Sequence, residues 1–240
     1  MQQRRLLVLG ANSAIGQGLL MYAKQQGALV AGVSRSPAPE SVMVDDWLVL
    51  ELQQGEAAAV LNTVVADFCR QFQPTDIFIC HGVLQQDRLK AEKTIRQLDE
   101  QAAMHSWWVN YLLPALHLQA LFGYLQQHPC RVLVLSAKVG SISDNSLGGW
   151  YSYRSAKAAL NMLVKTLSIE LSRLKAPALV AALHPGTTES LLSSPFLRNI
   201  PPSQLQTPAQ TAARLWQVAT ALQPEQHGKL LHWDGSILPF

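Results

Sequence analysis

The sequence predicts an α/β chain, a doubly wound parallel sheet forming a single domain over residues 1–240. Three observations carry that expectation. Short apolar runs alternate with amphipathic stretches from end to end. The runs are continuously apolar rather than alternating, the pattern of strands covered on both faces by helices. No linker-like or low-complexity tract divides the chain, and 240 residues suffice to bury one sizeable core.

The elements follow in order. Leu6–Leu9 is the first strand and runs into a glycine-containing turn. Ile15, Leu19, Leu20 and Ala23 then fall on one helix face, and Gly27 is placed to end that helix. Ala28–Val33 and Trp47–Leu52 read as the second and third strands, and Ala57–Phe72 as a helix. Ile77–Cys80 and Arg131–Ser136 are short buried strands. Tyr153–Leu174 is a long helix with Ala156, Leu160, Leu163, Val164, Leu167 and Leu171 at helical spacing. Ala178–Leu183 is a strand, Thr207 and Pro208 start a helix to Leu222, and Leu230–Trp233 is the last strand. In such sheets ligands bind beyond the carboxyl ends of the strands.

Composition narrows the function classes. A hydrophobic fraction of 48% excludes disorder. A net charge of +3 with no Lys/Arg run gives no sign of a nucleic-acid partner. No stretch is apolar for long enough to span a bilayer, and Leu6–Leu9 behind Arg4 and Arg5 is too short for a signal peptide. Cys69, Cys80 and Cys130 suit neither a disulfide framework nor a zinc site, and no two of the seven His are spaced i,i+4. No metal is expected, and the cytoplasm is the expected compartment. Only 15% of residues are charged, which points to surface buried in a pocket or between subunits.

Two motifs carry chemistry. Gly10-Ala11-Asn12-Ser13-Ala14-Ile15-Gly16 lies between the first strand and the first helix. Gly10 suits the tight turn, and Gly16 lets a phosphate approach the helix N-terminus, whose amides and dipole favour an anion. No Lys follows, so this is not a P-loop. A dinucleotide is the implied ligand of a Rossmann-type sheet. The second strand ends in Ser34-Arg35, with no acidic residue between Gly32 and Pro39. Arg35 therefore suits the 2′-phosphate of NADP, where an acid would suit the ribose hydroxyl of NAD. Tyr153 and Lys157, at i and i+4, share a helix face. An ammonium beside a phenol stabilises its phenolate and lets the Tyr exchange a proton with a ketone oxygen.

Together these pieces resemble the short-chain dehydrogenase/reductase family over nearly the whole chain. Gly10, Ala14 and Gly16 stand at the positions of its TGxxxGxG turn, with Ala14 for the middle Gly. Tyr153 and Lys157 match YxxxK, Asn110 matches the helix Asn that holds a relay water, and Pro185-Gly186 match the PG segment against the nicotinamide. The run Val139–Asn145, continuing through Gly148-Gly149-Trp150-Tyr151, and the ending Trp233-Asp234-Gly235-Ser236 look like the C-factor/sniffer-type carbonyl reductase branch. Ile79-Cys80-His81-Gly82 replaces NNAG, and Ala137 stands at the usual catalytic Ser position. The resemblance leaves Ser136, Ser141 or Ser143 for that role, with Ser136 favoured.

The resemblance implies an NADPH-dependent carbonyl reductase with catalytic Tyr153, Lys157, Ser136 and Asn110. It places the cofactor on Gly10, Asn12, Ser13, Ile15 and Gly16, on Ser34 and Arg35, and on Glu51 and Leu52. His81 and Gly82, Tyr153 and Lys157, and Pro185, Gly186 and Thr188 complete that set. It further implies a homodimer or homotetramer paired through helices at about Ala103–Gln127 and Tyr153–Leu174. A substrate flap at about 190–202, with Leu191, Leu192, Phe196 and Leu197, suits an apolar carbonyl compound. The rival reading is a non-catalytic NADP-binding signalling or scaffold protein of the same fold.

Overall fold

The structure, a computed structural model, describes residues 3–85, 90–194, 201 and 204–240. Strand β1 (Arg5–Leu9) lies at the centre of an eight-stranded sheet, with Leu6 to Leu9 fully buried. On one side follow β2 (Leu29–Ser34) and β3 (Asp46–Val49), on the other β4 (Asp76–Ile79), β5 (Arg131–Leu135) and β6 (Leu179–His184). A minor parallel pair, β7 (Thr187–Thr188) and β8 (Leu205–Gln206), stands apart from this sheet. The main sheet ends in β9 (Leu230–His232) and the antiparallel β10 (Ile237–Leu238). Its order is β10-β9-β6-β5-β4-β1-β2-β3, so the chain reverses direction across the sheet between β1 and β4. That is the doubly wound parallel architecture expected from the sequence.

Helix α1 (Ala14–Gln25) starts at Ser13, whose hydroxyl accepts from Gly16 N–H. Ala57–Val60, Leu61–Val65 and Ala66–Phe72 run on as one helix, α2, widened by an i→i+5 turn in its middle. Glu100–Trp107, Trp108–Leu112 and Leu113–Gln127 form α3 with a similar widened turn around Asn110. Helix α4 (Tyr151–Arg173) follows, and α5 (Pro208–Ala221) opens with a capping box made by Thr207 and Gln210. Side chains of α2, α3 and α4 bury one face of the sheet, and those of α1 and α5 the other.

Two expectations change in detail. The third strand stops at Val49, not Leu52: it pairs only with β2, which itself ends at Ser34. Leu50 N–H still donates to Ser34 O, after which the chain leaves the sheet, and Leu50 and Leu52 pack against the core. The β7–β8 pair and β10 have no counterpart in the sequence reading. Of the expected flap, 190–194 and 201 are described, while Phe196, Leu197 and Pro202 lie outside the described residues. Among the described residues no helix is long and apolar enough to cross a membrane.

Candidate active site

A cleft of about 1250 Å³ opens beyond the carboxyl ends of the strands, across the point between β1 and β4 where the strand order reverses. Its described lining contains Arg35, Lys138 and Lys157 but no Asp or Glu. A cleft with that charge balance attracts an anionic ligand and does not repel its phosphates.

One end is made chiefly of backbone. Gly10 has φ +80°, and a Cβ there would lie 3.2 Å from the carbonyl carbon of Cys80 and from His81 N. The turn after β1 thus packs directly on the segment after β4. At Gly16 a Cβ would lie 2.8 Å from Ala11 O and 2.9 Å from Gly10 O. The first turn of α1 carries no acid that would oppose an anion at its positive end. Asn12 Nδ2 donates to Ser36 Oγ (2.6 Å), tying this turn to the segment that follows Arg35.

The other end is made of side chains. Tyr153 and Lys157 are both buried on the first turns of α4 and both line the cleft. Lys157 Nζ lies 5.7 Å from the centre of the Tyr153 ring and donates to Leu135 O (2.9 Å). Burial pulls the Lys157 ammonium down to about 7, and it pushes the Tyr153 phenol above its ordinary value. The expected lowering of the Tyr by the Lys is therefore outweighed here by the removal of both groups from water. Tyr153 stays a neutral phenol, the form that can donate a proton. Around it pack Leu84 and Ala137, with Ala91, Val139, Trp150 and Leu192 against them.

Gly10, Asn12, Ser13, Ile15, Ser34, Arg35, Leu52, His81, Gly82, Ser136, Pro185, Gly186 and Thr188 line the cleft as well. Glu51, Gly16 and Asn110 do not. Glu51 is exposed just past the end of β3, and Gly16 sits beneath the turn. Asn110 is fully buried in the widened turn of α3. Its Nδ2 donates to Val83 O (2.8 Å) and Ser106 O (3.0 Å), and its Oδ1 accepts from Val83 N–H (3.1 Å). The side chain thereby fixes the loop after Gly82 to α3. Ser136 Oγ donates to Asn161 Oδ1 (2.6 Å) on α4. Ser141 Oγ lies 3.4 Å from Ser143 Oγ and accepts from Asp144 N–H, Ser143 Oγ donates to Phe240 O (2.6 Å), and neither serine lines the cleft.

His81, expected at the cofactor, lines the cleft with three further histidines that the sequence reading did not assign to the site, His105, His117 and His184. His81 and His117 stack at 4.7 Å between ring centres. Burial, with Lys157 and Arg35 nearby, holds His81 down at about 3, and burial keeps His117 well below its usual range. His184 is lowered to about 4 by burial, His232 and Lys138. His81, His117 and His184 are therefore neutral near pH 7. His117 lies seven residues, two helical turns, beyond Asn110, and that spacing was the available signal.

The profile of the family described as short chain dehydrogenase matches residues 4–199. A 1-hydroxy-2-glutathionyl-2-methyl-3-butene dehydrogenase of Rhodococcus sp. (strain AD45) is 36% identical over 132 residues, covering 54% of this chain and 55% of that protein. The match thus spans only about half of that relative's length. The C-signal protein of Myxococcus xanthus is 30% identical over 134 residues, 55% of this chain and 75% of the relative. Carbonyl reductase Sniffer of D. melanogaster superimposes with a TM-score of 0.81 at 19% identity, over 100% of both chains.

Proposed function

The chain belongs to the short-chain dehydrogenase family, and from that premise we propose that it reduces a carbonyl compound using NADPH, with Tyr153 as the proton donor. The observation that carries this is the cleft itself. Its described lining is free of acidic side chains, has Arg35 beside the end of β2, and holds a buried neutral phenol with Lys157 at its other end. The names of the Sniffer carbonyl reductase and the Rhodococcus dehydrogenase support an oxidoreductase of the alcohol–carbonyl pair.

The residues fit a phosphorylated dinucleotide. Gly10, Asn12, Ser13 and Ile15, at the N-terminus of α1, would hold the diphosphate, with Gly16 giving the close approach. Ser34 and Arg35 would hold the 2′-phosphate, Leu52, His81 and Gly82 the adenosine, and Pro185, Gly186 and Thr188 the nicotinamide. Exposed Glu51 contributes no more than backbone. When bound, the reduced nicotinamide supplies the hydride for the carbonyl carbon.

Tyr153 gives its phenolic proton to the carbonyl oxygen as negative charge builds there. Lys157 would exchange Leu135 O for ribose hydroxyls once the cofactor is bound, and its ammonium form would stabilise the phenolate left on Tyr153. Asn110 keeps the widened turn of α3 and the Val83 loop in place for a relay water. Of the three candidate serines only Ser136 lines the cleft, and it can donate to a substrate oxygen once its hydrogen leaves Asn161. The apolar wall of Leu84, Ala137, Trp150 and Leu192, with exposed Leu191 on the described part of the flap, suits an apolar carbonyl compound.

The proposal extends to assembly and compartment. Met104, Trp107 and Leu112 on α3 and Met162 and Ile169 on α4 are exposed, and pairing those faces between copies would cover them in a homodimer or homotetramer. Three free, buried cysteines fit the reducing cytoplasm.

Calorimetry with NADPH and NADH, followed by NADPH oxidation against a panel of ketones and aldehydes, tests the reading. Turnover of apolar carbonyls with slower Ser136→Ala enzyme is expected. Absence of NADPH binding overturns it. One observation favours the non-catalytic alternative: Ala137 brings a methyl, not a hydroxyl, against Tyr153. Tight NADPH binding with no turnover anywhere in the panel would select it.

A further inference from the structure

Helix α4 carries Tyr153 in its first turn yet begins without a cap of its own. Its flanking residue, Trp150, has left-handed backbone (φ 53°, ψ 45°) and provides no side-chain cap. The preceding Gly148 and Gly149 have positive φ too. The missing acceptor comes from far away in the chain. Glu92, only 5% exposed, reaches the helix start from the segment that follows β4. Its carboxylate accepts from Ser152 N–H (3.3 Å) and from the Ser152 hydroxyl, and its backbone carbonyl accepts from Trp150 N–H (2.5 Å).

A buried carboxylate is costly unless its oxygens are hydrogen-bonded, and a helix N-terminus offers the amides and partial positive charge that offset the cost. Glu92 therefore has one low-energy place, and α4 has one start. The connection continues: Ser155 Oγ donates to Ser152 O (3.0 Å), and Trp107 Nε1 of α3 donates to Ser155 Oγ (3.1 Å). Ser152, the residue gripped by Glu92, directly precedes Tyr153. Ala91, the residue before Glu92, packs against the apolar cluster that holds the Tyr153 ring, as does Trp150, edge-on at 6.3 Å.

We propose that Glu92 is a positioning residue for the proton donor, capping α4 from a distant segment and so setting where Tyr153 stands in the cleft. The step from position to catalysis rests on the function proposed above. Glu92 has no place in the cleft lining and touches no group assigned to the cofactor.

The test compares Glu92→Ala and Glu92→Gln in the full chain, with NADPH and phenanthrenequinone as an apolar carbonyl probe. In Glu92→Ala, kcat should fall by about tenfold to a hundredfold, since small displacements of a reacting group cost that much. The dissociation constant for NADPH should not move. Glu92→Gln keeps an amide oxygen for Ser152 N–H and should restore most of kcat. A folded Glu92→Ala enzyme with native kcat, or one whose loss lies in NADPH affinity, overturns the proposal. Near-UV circular dichroism of the Trp150–Tyr153 region gives a readout that needs no turnover. If the native protein reduces no carbonyl, the function fails on its own account. An unchanged near-UV spectrum in folded Glu92→Ala would then overturn the positioning role separately. Should Glu92→Ala not fold, Ser152→Ala, losing one hydroxyl contact, should lower kcat about threefold; unchanged kcat there also overturns it.

Discussion

The glycine-turn end of the cleft and the Tyr153 end are built from different material. At the first, backbone meets backbone: Gly10 lies on Cys80 and His81, Gly16 on Ala11 and Gly10, and under the proposed function helix amides would meet the cofactor. Side-chain identity matters little there, so Ala14 in place of Gly and Cys80-His81 in place of the family's Asn-Ala leave the geometry standing. At the second end, side chains converge from β5, α4 and the segments after β4 and β6, and each depends on a partner elsewhere. Lys157 leans on Leu135 O, Ser136 on Asn161, Asn110 on Val83 and Ser152 on Glu92. The contrast teaches that a backbone-made subsite tolerates sequence drift, whereas a side-chain-made one is fragile at positions remote from the chemistry.

Substitutions can break that contrast or sharpen it. Tyr153→Phe removes one oxygen from the side-chain end and should lower kcat by about a thousandfold, the scale of a lost general acid, while calorimetry finds NADPH binding intact. Native turnover would refute the assignment of the acid. Gly16→Ala tests the backbone end. Its methyl meets Ala11 O at 2.8 Å, so denaturant unfolding should show a loss of about 1–3 kcal/mol, with weaker NADPH binding. A neutral result would mean that the turn has more room than its geometry shows.

Arg35→Asp is the exception that the contrast predicts at the backbone end, because charge there resides in one side chain. A preference for NADPH over NADH of at least about tenfold, ~1.4 kcal/mol, should be erased or reversed. Equal affinities in the unmodified protein would remove Arg35 from the site. A further effect concerns pH. Lys157 has its pKa lowered from 10.5 to about 7, so between those values the unfolded chain holds a proton that the folded one does not. Stability without cofactor should therefore rise with pH across that window, while below it the cost of burying the charge is fully present. Lys157→Met should flatten the rise in urea melts at about pH 7 and about pH 9; an equal slope in both proteins would contradict it.

Strand-and-helix alternation was legible in the sequence because covered strands and amphipathic helices leave clear periodicities, and β1, α1 and α4 stand within two residues of their expected bounds. The short pairs were not legible. Thr187–Thr188 and Leu205–Gln206 have two residues each, too few for any period, and their partner is chosen by tertiary placement. At the site, Gly10, Arg35, Tyr153 and Lys157 could be read from local motifs and lie together on the cleft. Glu92 could not: within the polar stretch Gln85–Lys93 it looks like any solvated acid, and only the fold brings it to α4. The outcome for Asn110 has the same cause, since its Val83 contact spans 27 residues.

The left-handed run Gly148-Gly149-Trp150 also limits how this protein can vary. At its first two positions any side chain adds backbone strain, so those codons have almost no neutral neighbours. At the third, exchange for Gly would relax the chain while deleting the indole edge from the wall beside Tyr153. The strain saved, about 1–2 kcal/mol, is smaller than the packing lost with the indole, so stability and selectivity both hold Trp at this codon. A laboratory selection for heat resistance alone should therefore keep Trp at position 150 in spite of its left-handed backbone.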